Sequence, residues 1–190
     1  ASMGATVYPV DRSDADTLLR HADHAMYGAK QAGRNGYLFF GPEHRRRAEQ
    51  RVMAIGRIQE ALDQQEFVLY YQPKVNMRTG AIIGAEALIR WQHPERGLLA
   101  PAAFLPVIEG QPISIEIGEW VIQTALAQMA LWRGAGLDIG VSVNIGALQL
   151  QQPGFVARLG TLLAAHPTVP AQSLELEILE TSALEDMAQI

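Results

Sequence analysis

The first forty residues combine two short apolar runs with one helical repeat. Gly4–Tyr8 is typical of a strand, and apolar residues then recur at helical spacing over Leu18–Ala29. Ser13 or Asp14 can cap this helix, and Tyr37–Phe40 is a second strand-like run. Such a strand–helix–strand unit is too small to bury its own faces. The pattern therefore predicts the end of a larger domain.

A charged stretch follows, over residues 42–57, with Arg45, Arg46 and Arg47 inside it. We predict a solvated linker helix that continues into Ile58–Leu62. The alternative is a basic patch for nucleic acid or lipid, which needs more charges on one face than three arginines supply.

The pattern changes after Glu66. Phe67–Val75 is rich in β-branched and aromatic residues, Asn76–Gly80 has the length of a hairpin loop, and Ala81–Arg90 is a second strand. These two strands are expected to pair antiparallel. Helices and strands then alternate, and the predicted elements are a short helix from Pro101, a long helix Ser114–Arg133, a strand Asp138–Ile145, a helix Pro153–Ala165 and a strand Ser173–Leu179. This alternation is typical of βα units in a parallel sheet or barrel.

Composition narrows the class of protein. Apolar residues make up 48% of the 190 residues and charged residues 18%, which fits a folded protein with a core. The net charge of −5 argues against a nucleic-acid polymer as partner. The absence of cysteine excludes disulfides, thiolate zinc sites and cysteine nucleophiles.

Two features of the apolar segments bear on location. The amino-terminal residues lack a basic stretch followed by an apolar run, so no signal peptide is predicted. The most apolar helix candidate, Ile117–Trp132, is interrupted by Glu119, Gln123 and Gln128, which are costly inside a bilayer. We expect a cytoplasmic fragment without direct membrane contact, although membrane or sensor domains can lie elsewhere in a parent protein.

Polar residues stand in three predicted strands where apolar ones are expected: Glu86, Asn144 and Glu177. Because burying an unpaired carboxylate is expensive, such groups are normally paired, hydrogen-bonded or metal-bound. Oxygen ligands without thiolate favour Mg²⁺, Mn²⁺ or Ca²⁺ over zinc. The alternative is a solvated strand face, which strict alternation predicts for Glu177, so the residues alone leave both interpretations open.

Residues 58–190 resemble the amino-terminal half of an EAL domain, named for the triplet Glu86-Ala87-Leu88. The resemblance lies in sequence blocks that follow the family's order: Tyr71–Val75, Gly84–Trp91, His93-Pro94, Ile117–Val121, Ser142–Ile145 and Leu176–Thr181. It implies an α/β fold, a modified TIM-type (β/α) barrel with an antiparallel first strand. It also implies hydrolysis of cyclic di-GMP to linear pGpG.

The resemblance assigns roles to individual residues. Glu86, Asn144 and Glu177 match the family's catalytic metal ligands, and a complete domain holds two Mg²⁺ or Mn²⁺ ions that polarise the phosphate and activate water. The implied substrate-binding residues are Gln72, Leu88 and Arg90, with Arg90 contacting a phosphate. The remaining match is Glu180, which is implied to steady a loop over the metal site.

Residues 1–41 resemble the carboxyl-terminal end of a GGDEF, or diguanylate cyclase, domain. The matching runs are Ala22–Tyr27, Ala29-Lys30 and Gly33–Asn35. Lys30 and Arg34 match residues that approach nucleotide phosphates in that family. The cyclase's own Gly-Gly-Asp-Glu-Phe turn is absent, so this piece is not expected to be a cyclase.

The chain stops at Ile190, before the Asp-Asp pair that the family's next strand supplies. We therefore expect an incomplete barrel that is inactive alone, either because the sequence is a piece of a longer protein or because a partner completes it. A homodimer through the EAL domain is expected. The alternative functions are a non-catalytic cyclic-di-GMP receptor and a dimerisation module.

Overall fold

The computed structural model describes residues 1–9 and 11–178, and leaves the side chains of residues 42–45 and 47–49 undescribed. The chain divides into two compact units, residues 1–54 and 55–190. Each unit is described by itself.

The first unit confirms the predicted strand–helix–strand order. It contains β1 (Met3–Ala5), α1 (Ala15–Gln31) and β2 (Tyr37–Phe39), and β1 pairs parallel with β2. The strand approaches the helix so closely that a Cβ atom on Gly4 would lie 2.0 Å from the carbonyl oxygen of Ala22. Glycine at position 4 is therefore required by this packing.

Asp14 caps α1, as one of the two predicted candidates. Its Oδ1 accepts a hydrogen bond from the backbone N–H of Thr17 at 2.9 Å, and this bond is the main cause of the lowered pKa of Asp14. The backbone of Asp14 is extended, with ψ of 167°, so the helix begins directly after it.

We expect Asp14→Ala to cost about 1 kcal/mol of helix stability, because it leaves an N–H group in the first turn unsatisfied. Amide hydrogen exchange of α1 measures the loss. Asp14→Ser should retain most of the protection, and Asp23→Ala, at an exposed position within α1, is the matched control. Equal exchange rates in Asp14→Ala and Asp23→Ala would contradict a capping role.

The second unit begins within α2 (Pro42–Asp63), which covers the predicted linker and the helix after it. β3 (Phe67–Val75) and β4 (Ile82–His93) follow, and they pair antiparallel as predicted, with Phe67 opposite Trp91 and Gln72 opposite Glu86. The turn between the strands closes through the N–H of Gly80, which donates to the carbonyl of Asn76 at 2.8 Å.

The remaining elements form a mixed sheet with helices on one face. They are β5 (Gly97–Leu99), a 3-10 turn (Pro101–Ala103), α3 (Leu105–Ile108), α4 (Ile113–Gly134), β6 (Gly140–Ile145), α5 (Ala147–Leu150), α6 (Phe155–Ala164), a 3-10 turn (Ala171–Ser173) and β7 (Leu174–Ile178). The strand order is β3-β4-β6-β7, with β5 on the end of β4, and β4, β6 and β7 run parallel. β5 and α5 were not predicted from the sequence, because each is too short to show a periodic pattern.

The core lies between this sheet and the helices. Phe67, Trp91 and Phe104 pack in its centre, with ring centroids 5.4–5.7 Å apart. Buried residues of α4, including Ile122 and Leu126, belong to the same apolar cluster. Trp91 is buried, while Trp120 and Trp132 are partly buried against the same cluster.

A polar network closes one side of the core. Arg57 donates to both carboxylate oxygens of Glu66, at 2.8 and 2.6 Å, and the indole N–H of Trp91 donates to Glu66 at 2.7 Å. The hydrogen bond from Trp91, followed by those from Arg57, lowers the pKa of Glu66. The network fixes the end of α2 against the β3–β4 hairpin.

Among residues 1–9 and 11–178, no helix combines the length and hydropathy needed to cross a membrane. Closure into a barrel requires more strands than the described residues contain, so that expectation stays a prediction.

Candidate functional site

One face of the β3-β4-β6-β7 sheet carries polar side chains, while the other packs on the helices. Alternation along each strand creates this division, because successive side chains point to opposite faces. In β4, Ala87 and Ile89 are buried in the core, and Glu86 shares the opposite face with Arg90. We call this opposite face the polar face; its residues are Tyr70, Gln72, Lys74, Glu86, Leu88, Arg90, Ser142, Asn144, Glu175 and Glu177.

Glu86 and Asn144 meet on the polar face. The Asn144 side-chain N–H donates to Oε1 of Glu86 at 2.9 Å, and both residues are half-buried. They come from neighbouring parallel strands, since Glu86 pairs with Ser142 and Asn144 lies two residues further along β6. The donating nitrogen leaves the amide oxygen of Asn144 on the other side of the group, where it can ligate a cation.

Glu177 lies beside Asn144 in the register of β6 and β7, but its side chain contacts a lysine. Lys74 Nζ lies 2.7 Å from Oε1 of Glu177 and 3.1 Å from Oε2 of Glu175. The hydrogen bond from Lys74 is the main cause of the lowered pKa of Glu177, and the same bond raises the pKa of Lys74. Both partners are therefore ionised at neutral pH.

The predicted substrate-binding residues lie along β3 and β4. Gln72 is exposed and stands directly opposite Glu86, and Leu88 is half-buried opposite Tyr70. The Arg90 guanidinium lies 5.8 Å from the centre of the Tyr70 ring and donates to the carbonyl of Ile89 at 2.9 Å. A fork of donors held over an aromatic ring suits a phosphate group. Glu180 lies outside the described residues.

Lys74 and Tyr70 were not predicted as site residues from the sequence. Both share the polar face with Gln72 at a spacing of two residues, and that spacing was the available signal. The pairing of Lys74 with Glu177 joins residues far apart in the chain, so no local pattern could reveal it.

The donor set fits a hard divalent cation. Two carboxylates and one amide supply oxygen atoms, which Mg²⁺ and Mn²⁺ prefer. Among the side chains that the structure describes, no group of three or more His, Asp or Glu residues is arranged to hold a metal ion. The third oxygen donor of the proposed set is the amide of Asn144, and Glu177 contacts Lys74. The described residues bring Glu86 and Asn144 into contact and place Glu177 next to them in register.

Comparison with known proteins identifies two families. Residues 55–190 match the model of the EAL domain, and residues 1–36 match that of the diguanylate cyclase, GGDEF domain. The first match covers more than half of the chain, and the second covers its amino-terminal end.

Two curated relatives are named as cyclic di-GMP phosphodiesterases. The chain is 41% identical over 187 residues to the bifunctional diguanylate cyclase/cyclic di-GMP phosphodiesterase MucR of Pseudomonas aeruginosa, with 98% of this chain and 27% of MucR covered. It is 40% identical over 162 residues to the cyclic di-GMP phosphodiesterase PdeR of Escherichia coli strain K12, with 85% of this chain and 24% of PdeR covered. The chain thus spans about a quarter of the length of these relatives.

The fold is also similar to solved structures. The PaMucR phosphodiesterase in complex with c-di-GMP superposes with a TM-score of 0.66 at 39% identity, and the match covers 72% of this chain and 55% of that one. The mixed α/β architecture described above is thus similar to that of a solved EAL phosphodiesterase.

Proposed function

The chain belongs to the EAL domain family and carries a GGDEF fragment at its amino-terminal end, and from that premise we propose that it is part of an enzyme that hydrolyses cyclic di-GMP to linear pGpG. The observation that carries the proposal is the contact between Glu86 and Asn144, at 2.9 Å, on neighbouring parallel strands. Relatives with this domain are named as cyclic di-GMP phosphodiesterases, which supports the same reaction.

In this proposal Glu86, Asn144 and Glu177 are the catalytic residues, and their oxygen atoms hold divalent metal. When bound, two Mg²⁺ or Mn²⁺ ions would polarise the substrate phosphate and lower the pKa of the attacking water. Asn144 orients Glu86 by donating to one of its oxygens. The chain's own contribution is to hold these ligands on rigid strands, so that little reorganisation is needed when the substrate arrives.

Substrate binding is proposed for the β3–β4 side of the polar face. Arg90 provides paired donors for a phosphate oxygen, and the Tyr70 ring restricts its guanidinium. Gln72 lies opposite Glu86, one of the proposed metal ligands, and is proposed to line the substrate site. Leu88 is proposed to form an apolar wall of that site. Glu180 is proposed to steady a loop over the metal site.

The proposed domain organisation has three parts. Residues 1–41 form the GGDEF remnant, residues 42–57 the linker helix and residues 58–190 the amino-terminal part of the EAL domain. We propose further that the later catalytic strands come from a longer protein, that this chain is inactive alone, and that a homodimer forms through the EAL domain. The chain covers only 27% of MucR and 24% of PdeR, and this supports the proposal that it belongs to a longer protein.

A second candidate function is a receptor that binds cyclic di-GMP without hydrolysing it. It is favoured by the position of Arg90 and Gln72, which lie on β4 and β3 and need no metal to contact a ligand.

Incubation of the protein that contains this chain with cyclic di-GMP and Mn²⁺ distinguishes the two functions. We expect pGpG to accumulate, a chelator to stop its formation, and added Mn²⁺ to restore it. Binding of cyclic di-GMP without turnover would favour the receptor. If neither binding nor turnover occurs, the proposed function is wrong, and a dimerisation module remains.

A further inference from the structure

Lys74 crosses the polar face to reach a strand that is not its neighbour. It lies on β3, whereas Glu175 and Glu177 lie on β7, and β4 and β6 stand between them. Its ammonium nevertheless lies 2.7 Å from Glu177 and 3.1 Å from Glu175. The aliphatic stem therefore passes over β4, and the side chains of the two glutamates meet its ammonium from β7.

A glycine on β4 opens that path. Lys74 stands opposite Gly84 on β4, and Gly84 pairs in turn with Gly140 on β6. A Cβ atom added to Gly84 would lie 3.9 Å from Cδ of Lys74, in contact with its stem, and 3.1 Å from the carbonyl of Gly140. A side chain at Gly84 would therefore stand under the lysine, whereas a Cβ atom on Gly140 would lie 3.3 Å from the carbonyl oxygen of Ser173. Gly84 thus leaves room for the Lys74 side chain over β4.

Lys74 places its positive charge next to Glu177, one of the proposed metal ligands. An ammonium has three donors, and Lys74 uses donors on two carboxylates of β7. The side chain of Glu177 is 36% exposed, whereas that of Glu175 is 68% exposed, so water screens the contact with Glu175 more strongly. Glu177, the carboxylate beside Asn144, is the main partner.

We propose that Lys74 is a positioning residue that serves as a built-in counter-ion, holding the Glu177 carboxylate in the metal-free protein and competing with the divalent cation for it. This inference rests on the proposed function, because it assigns Glu177 to the metal site. It gives Lys74 two opposite effects. The lysine stabilises the strands before metal binds, and it weakens metal binding through repulsion.

Titration calorimetry with Mn²⁺, on metal-stripped protein that contains this chain, tests the proposal. We expect Lys74→Met to bind Mn²⁺ about tenfold more tightly, because removing a unit charge next to Glu177 removes its repulsion of the dication. Lys74→Arg keeps the charge and should bind nearly as the unchanged protein does. Arg51→Met, which removes a positive charge at an exposed position of α2, is the matched control and should have no effect.

Thermal melting supplies a readout other than metal affinity. Without metal, Lys74→Met should melt at a lower temperature than the unchanged protein, since two carboxylates then repel each other on β7. Saturating Mn²⁺ should narrow that difference, because bound cation replaces the ammonium and stabilises the folded state.

Glu175→Gln provides a test if Lys74→Met does not fold. Lys74 would then pair with Glu177 alone, so Mn²⁺ affinity should fall by a few-fold. Where Lys74→Met does fold, Glu175→Gln in that background should have a smaller effect, because the two residues act through one contact.

The outcomes separate this inference from the proposed function. If the unchanged protein does not bind Mn²⁺, the proposed metal site is wrong and the inference falls with it. If it binds Mn²⁺, and Lys74→Met binds equally or more weakly, the counter-ion role alone is overturned. Unchanged or tighter binding by Glu175→Gln would overturn it equally.

Discussion

Replacing Glu86 with alanine is expected to abolish hydrolysis of cyclic di-GMP by the protein that contains this chain. The change removes a proposed metal ligand and leaves the Asn144 amide without the acceptor that now lies 2.9 Å away. Metal ions contribute several kcal/mol to transition-state stabilisation, and each 1.36 kcal/mol is about tenfold in rate. The initial rate of pGpG formation should therefore fall by more than about a hundredfold.

Two further variants separate catalysis from folding. Glu86→Gln keeps the size of the side chain and an oxygen for Asn144 but loses the charge, so it should lose activity while its melting temperature stays close to that of the unchanged protein. Glu60→Ala removes an exposed carboxylate from α2 and should remain fully active. Normal turnover in Glu86→Ala would rule out the role assigned to Glu86.

Trp91→Ala is expected to cost about 3–5 kcal/mol of the free energy of unfolding, the largest stability effect predicted for a single side chain. Trp91 is 5% exposed, and its ring centroid lies 5.6 Å from that of Phe67 and 5.7 Å from that of Phe104. The substitution empties the centre of the core. It also removes the indole N–H that donates to Glu66 at 2.7 Å. Urea unfolding followed by circular dichroism measures the loss.

Trp91→Phe separates the contribution of the hydrogen bond to Glu66 from that of the packed ring. Phenylalanine retains most of the apolar ring but cannot donate to Glu66, which keeps its two hydrogen bonds from Arg57. A loss of about 1–2 kcal/mol is expected from the missing hydrogen bond and the smaller ring. Leu131→Ala, at a side chain that is 69% exposed, is the control. Equal unfolding midpoints for Trp91→Ala and Leu131→Ala would refute the central position of Trp91.

The long elements of the fold could be predicted from the sequence because their patterns are unambiguous. The β-branched and aromatic run Phe67–Val75 forms β3 with the same bounds, and the helical repeat after Asp14 forms α1. β5 and α5 were not predicted, because elements of three or four residues show no periodic pattern. The strand predicted from Gly4 to Tyr8 ends earlier, at Ala5, since its partner β2 has only three residues.

The candidate site was predictable only in part. Glu86 and Asn144 interrupt apolar strands, and parallel strands bring such interruptions together at the same edge of a sheet. The lysine that holds Glu177 could not be identified in this way, because it lies on β3 and passes over Gly84 of β4 to reach the glutamates of β7. Isolated glycines within strands do signal a close approach, but they do not say which side chain approaches.

The strands of the second unit's sheet stand side by side in the order of the chain, β3-β4-β6-β7. The hairpin of β3 and β4, which sets Gln72 opposite Glu86, needs only a short loop to close, whereas Asn144 lies 58 residues beyond Glu86. Closing longer loops costs more entropy, and chains fold from the amino terminus as they are synthesised. β3 and β4 are therefore synthesised, and can pair, before β6 and β7. The β3–β4 half, which we propose to bind the substrate, is formed first, and Asn144 and then Glu177 are added to it.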